Sequence, residues 1–181
     1  IPAVLFSLLA VSSTATNAAT AREQAAQAGI RTCLPVIEKV EAYLIGQQTA
    51  DAVTFWDNVA VDKNMFSALI ELEGPRSNSI ASLNVTPTSD GQCVAEYSQT
   101  GFVPQTCMDY LKTLGNGVRY VRDLGKKSSL FQGQGVQILL TNAGTSGCVW
   151  VRKEVIKLPQ AGLPQPASTS TKPSQTKRST R

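Results

Sequence analysis

The stretch "SDGQCVAEYSQTGFVPQTC", Ser89 to Cys107, sets two cysteines fourteen positions apart, with a glycine turn before the first and a Thr-Cys pair at the end. Both ends have an echo elsewhere in the chain. Thr32-Cys33 precedes "LPVIEKVEAYLI" as Thr106-Cys107 precedes "MDYLKTL", and "TSGCV" from Thr145 matches "SDGQCV" from Ser89. Between these marks the two halves also share an order of elements. Leu34, Ile37, Val40 and Leu44 recur at helical spacing, with Pro35 suited to a first turn, which predicts a helix from about Leu34 to Ile45 and a helical lead-in from Glu23. "MFSALIELE" alternates Phe66, Ala68, Ile70 and Leu72 on one face, "SIASLNVT" alternates Ala81, Leu83 and Val85, and "CVAEYSQ" follows. This is strand periodicity in three successive runs, an antiparallel meander.

The second half repeats the pattern with a helix in "PQTCMDYLKTLG", stopped by Gly115, and strand runs "VRYVRDL", "GVQILLTN" and "CVWVRKEVI". Similar turns, "GPRSNSI" from Gly74 and "GKKSSL" from Gly125, follow the first strand run of each half. The reading is α+β, two tandem α-β-β-β units with antiparallel sheet, at about 30–99 and 104–157 within a single domain spanning 22–157. Cys33 and Cys93 are sixty positions apart and Cys107 and Cys148 forty-one, so the copies differ by an insertion, most simply "TADAVTFWDNVAVDK".

Four cysteines permit three pairings. If the halves are copies, each cysteine bonds within its own copy, Cys33 to Cys93 and Cys107 to Cys148, tying a helix start to the last strand of its unit. The alternative joins Cys93 to its neighbour Cys107 and Cys33 to Cys148. Disulfides presuppose an oxidising compartment, and the leader agrees. Ile1 to Val11 is apolar, small polar residues follow, and Ala19-Thr20-Ala21 has small-x-small spacing, so residues 1–21 read as a signal peptide, truncated at its start and cut before Arg22. The apolar run is about half of what a bilayer-crossing helix requires. The expected location is secreted or periplasmic, with no transmembrane segment.

All thirteen acidic residues lie between Arg22 and Lys157, with all but four of the seventeen basic ones, so that region is neutral. Lys172, Lys177, Arg178 and Arg181 carry the net +4, in a Pro/Ser/Thr-rich tail, 158–181, that reads as disordered. A neutral domain argues against nucleic acid, whose binding faces show a basic excess, while the tail could touch anionic surfaces weakly. In that tail "LPQAG" resembles a loose sortase sorting signal, without the threonine and without the hydrophobic span that such signals carry.

The chain has no histidine, so serine and cysteine triads lose their base and zinc hydrolases their usual ligands. With no Cys-x-x-Cys pair either, neither a metal nor a cofactor is expected. A two-carboxylate glycosidase retains candidates in Glu71, Glu73, Glu96, Asp109 and Asp123, although Glu71 and Glu73 alternate like an ordinary solvated strand face. "GKKSS" lacks the spacing of a phosphate loop, but the turns at Arg76 and at Lys126-Lys127 could bind an anion. "NVT" at Asn84 is a glycosylation acceptor only in a eukaryotic secretory pathway. Trp150 shares a strand face with Arg152 and Glu154, opposite Val149, Val151 and Val155. A tryptophan there anchors a partner or covers a sheet edge. The sequence therefore predicts an exported, non-catalytic binding or assembly protein, such as an envelope accessory, a secretion-apparatus component or an inhibitor, presenting a sheet surface to a protein partner. A small secreted hydrolase of envelope polysaccharide is the alternative. Secreted enzyme inhibitors share the layout of tandem α-plus-sheet units, by analogy of architecture alone.

Overall fold

A computed structural model describes residues 19–74 and 78–159. The leader up to residue 18, Arg76 in its turn, and the tail from residue 160, including most of "LPQAG", lie outside the described residues. Two helices open the fold, α1 (Ala21–Ala28) and α2 (Leu34–Ile45), the second with the predicted bounds. Thr20 caps α1 in a capping box, its hydroxyl accepting from Glu23 N–H while the Glu23 carboxylate accepts from Thr20 N–H. A second carboxylate reinforces this end: Glu41 of α2, itself buried, accepts from the N–H groups of Ala21 at 2.6 Å and Arg22 at 3.0 Å. Ala21 is 0% exposed. The expected processing point before Arg22 thus falls inside the first turn of α1, and a chain starting there would lack its cap.

Four strands, not three, follow these helices: β1 (Thr49–Trp56), β2 (Phe66–Glu73), β3 (Asn78–Pro87) and β4 (Gln92–Val103). A short helix α3 (Cys107–Thr113) and a 3₁₀ turn then lead into four more, β5 (Arg119–Leu124), β6 (Ser128–Gln132), β7 (Val136–Ala143) and β8 (Gly147–Pro159). The α-β-β-β count is therefore corrected to four strands in each half. The two missed strands have simple causes. In β1 the helix-facing positions are small or polar except Trp56, and in β6 only Phe131 is fully buried, so neither shows strong alternation. "TADAVTFWDNVAVDK" is not a free insertion but β1 plus its connection, and the glycine turns at Gly74 and Gly125 are not equivalent, since the first follows β2 and the second β5.

All eight strands form one antiparallel sheet in the order β1-β2-β3-β4-β8-β7-β6-β5. The two longest strands meet at its centre, β4 against β8, in register from Gln92 with Pro159 to Val103 with Cys148. Strand β8 thus takes Leu158 and Pro159 out of the expected tail. Helices lie on one face only. Under α1 and α2 the core is broad: Val36, Ile37 and Val40 meet Phe66, Ile70, Leu72, Leu83 and Val85. Under α3 it is smaller, with Phe131, Ile138 and Leu140 around a disulfide. Bridges join Cys33 to Cys93 and Cys107 to Cys148, the pairing expected from the tandem reading. Each ties the start of a helix to the sheet, and the loop-closure model gives each about 3–4 kcal/mol. Among the described residues no helix is long and apolar enough to cross a membrane.

Candidate functional site

The register fixes which side chains look away from the helices. Phe66, Ala68, Ile70 and Leu72 of β2 face the helices and are buried, so their neighbours Ser67, Leu69, Glu71 and Glu73 face outward. Carried across the sheet, one outward row reads Val53, Leu69, Ser82, Ser98, Lys153 and Gln137. The row beside it reads Phe55, Ser67, Asn84, Glu96 and Val155. The row on the other side reads Asp51, Glu71, Ile80, Thr100, Val151, Leu139 and Leu130.

These rows place two apolar patches on one open face. The first holds Val53 (59% exposed), Phe55 (54%), Leu69 and Ile80 (59%). The second holds Phe102, Val149, Val151, Leu139 and Leu130, of which Phe102 is 49% exposed. Between them runs a strip of Ser67, Ser82, Asn84, Ser98 and Thr100. Ser67 donates to Asn84 Oδ1 at 2.7 Å, so the acceptor asparagine of "NVT" is held within the face. Lys153 pairs with Glu96 at 2.7 Å across the central seam, leaving Asp51, Glu71 and Glu73 as the acidic border beyond the first patch. Phe102 owes its position to Gly147, where a Cβ would stand 2.7 Å from the Phe102 ring.

Trp150 does not belong to this face. It turns toward the helices, stacked on Tyr110 of α3 with centroids 6.2 Å apart and planes at 22°, and its indole lies over Gly101, its register partner. Trp150, partly buried, thus packs against α3 on the helix side of the sheet, and burial raises the Tyr110 hydroxyl above its usual range. Arg152, on the same side, reaches Tyr43 of α2 with its guanidinium and does not face outward. Lys126 and Lys127 are exposed in the β5–β6 turn, where the Lys127 carbonyl accepts from Asn142 N–H.

Of the five candidate carboxylates, Glu71 and Glu73 share a shallow cleft with Asp51, and the other three lie apart from them. Glu71 and Glu73 lie on the open face, Glu96 there is ion-paired, Asp109 sits on α3 with Lys112 and Thr106, and Asp123 accepts from Ser129 in the row of Leu140. Burial raises the Glu41 carboxyl above its usual range, and its oxygens are held by the first turn of α1. Asp62 takes the same role before α2: burial acts to raise it, but hydrogen bonds from Arg31 N–H, the Thr32 hydroxyl and Thr32 N–H outweigh this and lower it. Sequence reasoning passed over both, because acids in a polar loop and on a helix give no periodic signal. Among the described residues no group of His, Cys, Asp or Glu has the geometry to hold a metal. No known protein family matches the chain, and comparison with curated proteins and solved structures gave no match.

Proposed function

We propose that the protein is an exported, non-catalytic binding or assembly protein whose open sheet face docks on a protein partner. The observation that carries this reading is the pair of apolar patches on one helix-free face, with large side chains such as Val53, Phe55 and Ile80 more than half exposed. Contiguous exposed apolar surface of this kind is typical of interaction sites, and buried aromatic anchors there contribute about 2 kcal/mol or more each. Two disulfides agree with an oxidising, extracellular or periplasmic setting. Under the same proposal each helix-plus-four-strand half is a copy of one unit. The mirrored strand order and one disulfide within each half support this. The hydrolase alternative would have to work at the shallow cleft that Glu71 and Glu73 share with Asp51, Thr49 and Ala50, where both glutamates are solvent-exposed.

The test immobilises the full chain and compares it with a Phe55→Ser, Ile80→Ser variant, exposed positions whose change should shift stability by no more than about 0.5 kcal/mol each. A partner from the exported fraction that the native chain retains should be lost by the variant and kept by a helix-face variant such as Glu38→Ala. Equal retention by the sheet variant at unchanged melting temperature would remove the open face as the docking surface.

A further inference from the structure

On the helix side, where α2 passes over the β4–β8 seam, the fold leaves a cleft of about 290 Å³ between Tyr43, Tyr97, Arg152, Glu154, Lys39 and Gln134. Its apolar lining comes from Val40, Ile156 and the two tyrosine rings, whose centroids are 5.8 Å apart. The Arg152 guanidinium lies 5.2 Å from the centre of the Tyr43 ring and 5.9 Å from that of Tyr97, so both rings contact it from neighbouring directions and help to fix its position.

The charges in this cleft are unequally used. Glu154 accepts the Tyr97 hydroxyl at 2.6 Å and stands 3.8 Å from Arg152, an ion pair without a hydrogen bond. Arg152 has five N–H donors and spends one on the Tyr43 hydroxyl, while its buried Nε finds no acceptor among the described residues. Lys39 has no ion-pair partner among them either. Two cations therefore face one carboxylate that a tyrosine already engages. A fixed guanidinium with free donors matches a carboxylate, and the rings beside it match an apolar body. The volume sits at the small end of ligand sites.

We infer that this cleft binds a small organic carboxylate with an apolar or aromatic body, its carboxylate on Arg152 and Lys39 and its body against Tyr43, Tyr97 and Ile156. The site is on the face opposite the docking surface and does not depend on it. The experiment titrates the isotope-labelled full chain with phenylacetate, with its neutral isostere phenylacetamide, and with inorganic phosphate, following amide resonances. Phenylacetate should give saturable shifts centred on Tyr43, Tyr97 and Gln134. Phenylacetamide, and phosphate with no apolar body, should each bind at least about tenfold more weakly, the fold-change of one charge-assisted contact. Arg152→Gln should weaken phenylacetate binding by a similar factor. Because Arg152 also packs against both tyrosines, Lys39→Gln, at an exposed helix position, provides the independent variant and should weaken it too. Equal affinity for the acid and the amide, equal affinity for phosphate, shifts centred elsewhere, or no saturable shift at millimolar phenylacetate would each overturn the inference.

Discussion

Replacing Gly101 with alanine should destabilise the protein, although glycine is itself a poor residue for a strand interior. A methyl group there would stand 2.6 Å from Cζ2, 2.7 Å from Cε2 and 2.9 Å from Nε1 of Trp150, where carbon contacts normally settle at about 3.5–4.0 Å. The indole must lift by roughly 1 Å to admit it. Above the indole lies the Tyr110 ring, on a helix whose first residue is bonded to Cys148, so the displacement passes into α3. Overpacking of this kind costs about 1–3 kcal/mol, offset by about 0.4–1 kcal/mol from the lower entropy of an unfolded chain without that glycine. The net loss of about 1–2 kcal/mol corresponds to a fall of roughly 3–10 °C in melting temperature, followed by near-ultraviolet circular dichroism. In a Trp150→Val background the clash is gone, and the same alanine should cost little, a coupling of about 1 kcal/mol or more. An unchanged or higher melting temperature for Gly101→Ala, or strict additivity of the two changes, would refute the steric argument.

A chain beginning at Arg22 should be about 1–2 kcal/mol less stable to urea than one beginning at Ala19, because it lacks the Thr20 cap and the Ala21 N–H that meets Glu41. Equal midpoints would show that the α1 start is energetically idle. Burial raises the Glu41 carboxyl above its usual range against the pull of the Arg22 and Ala21 N–H groups. The folded state therefore holds that proton more tightly, and the associated stability, present below the unfolded value, is lost as pH rises through the folded one. Urea midpoints at about pH 4 and about pH 7 should differ less in this direction for Glu41→Gln than for the native chain. Asp62 has the opposite sign: its lowered value contributes stability that is lost as pH falls, and Asp62→Ala should cost about 1–3 kcal/mol near neutrality, read from the same unfolding curves. Replacing Cys107 and Cys148 with serine should cost about 2–4 kcal/mol and speed amide exchange in β5–β8 before β1–β4, since the core there is the smaller one.

The α2 helix, the buried faces of β2 and β3 and both disulfides could be read from spacing, because those signals are local or come from a comparison of the two halves. What the sequence hid was non-local. The β4–β8 pairing brings Tyr97 beside Glu154 and carries Arg152 under Tyr43, more than a hundred positions away, and no periodicity within either strand announces it. Trp150 shows the same limit: alternation along β8 correctly grouped it with Arg152 and Glu154, but only the position of α3 decides that this group faces inward. The helix-facing side of β1 gives little signal because Ala50, Ala52 and Thr54 are small, and Thr54 is satisfied by a hydrogen bond to Gln24 of α1.

The mirrored strand order also dictates a sequence of events in time. Every strand pairing except one joins strands consecutive along the chain, so two meanders can each close through short loops at small entropic cost. The exception, β4 with β8, joins residues 45 to 67 positions apart, and non-local contacts of this kind are the slow ones to form. Tyr97 and Arg152 stand on opposite sides of that seam. The aromatic cleft therefore exists only once the two halves have joined, whereas the disulfides, each confined to one half, can form before the halves have met.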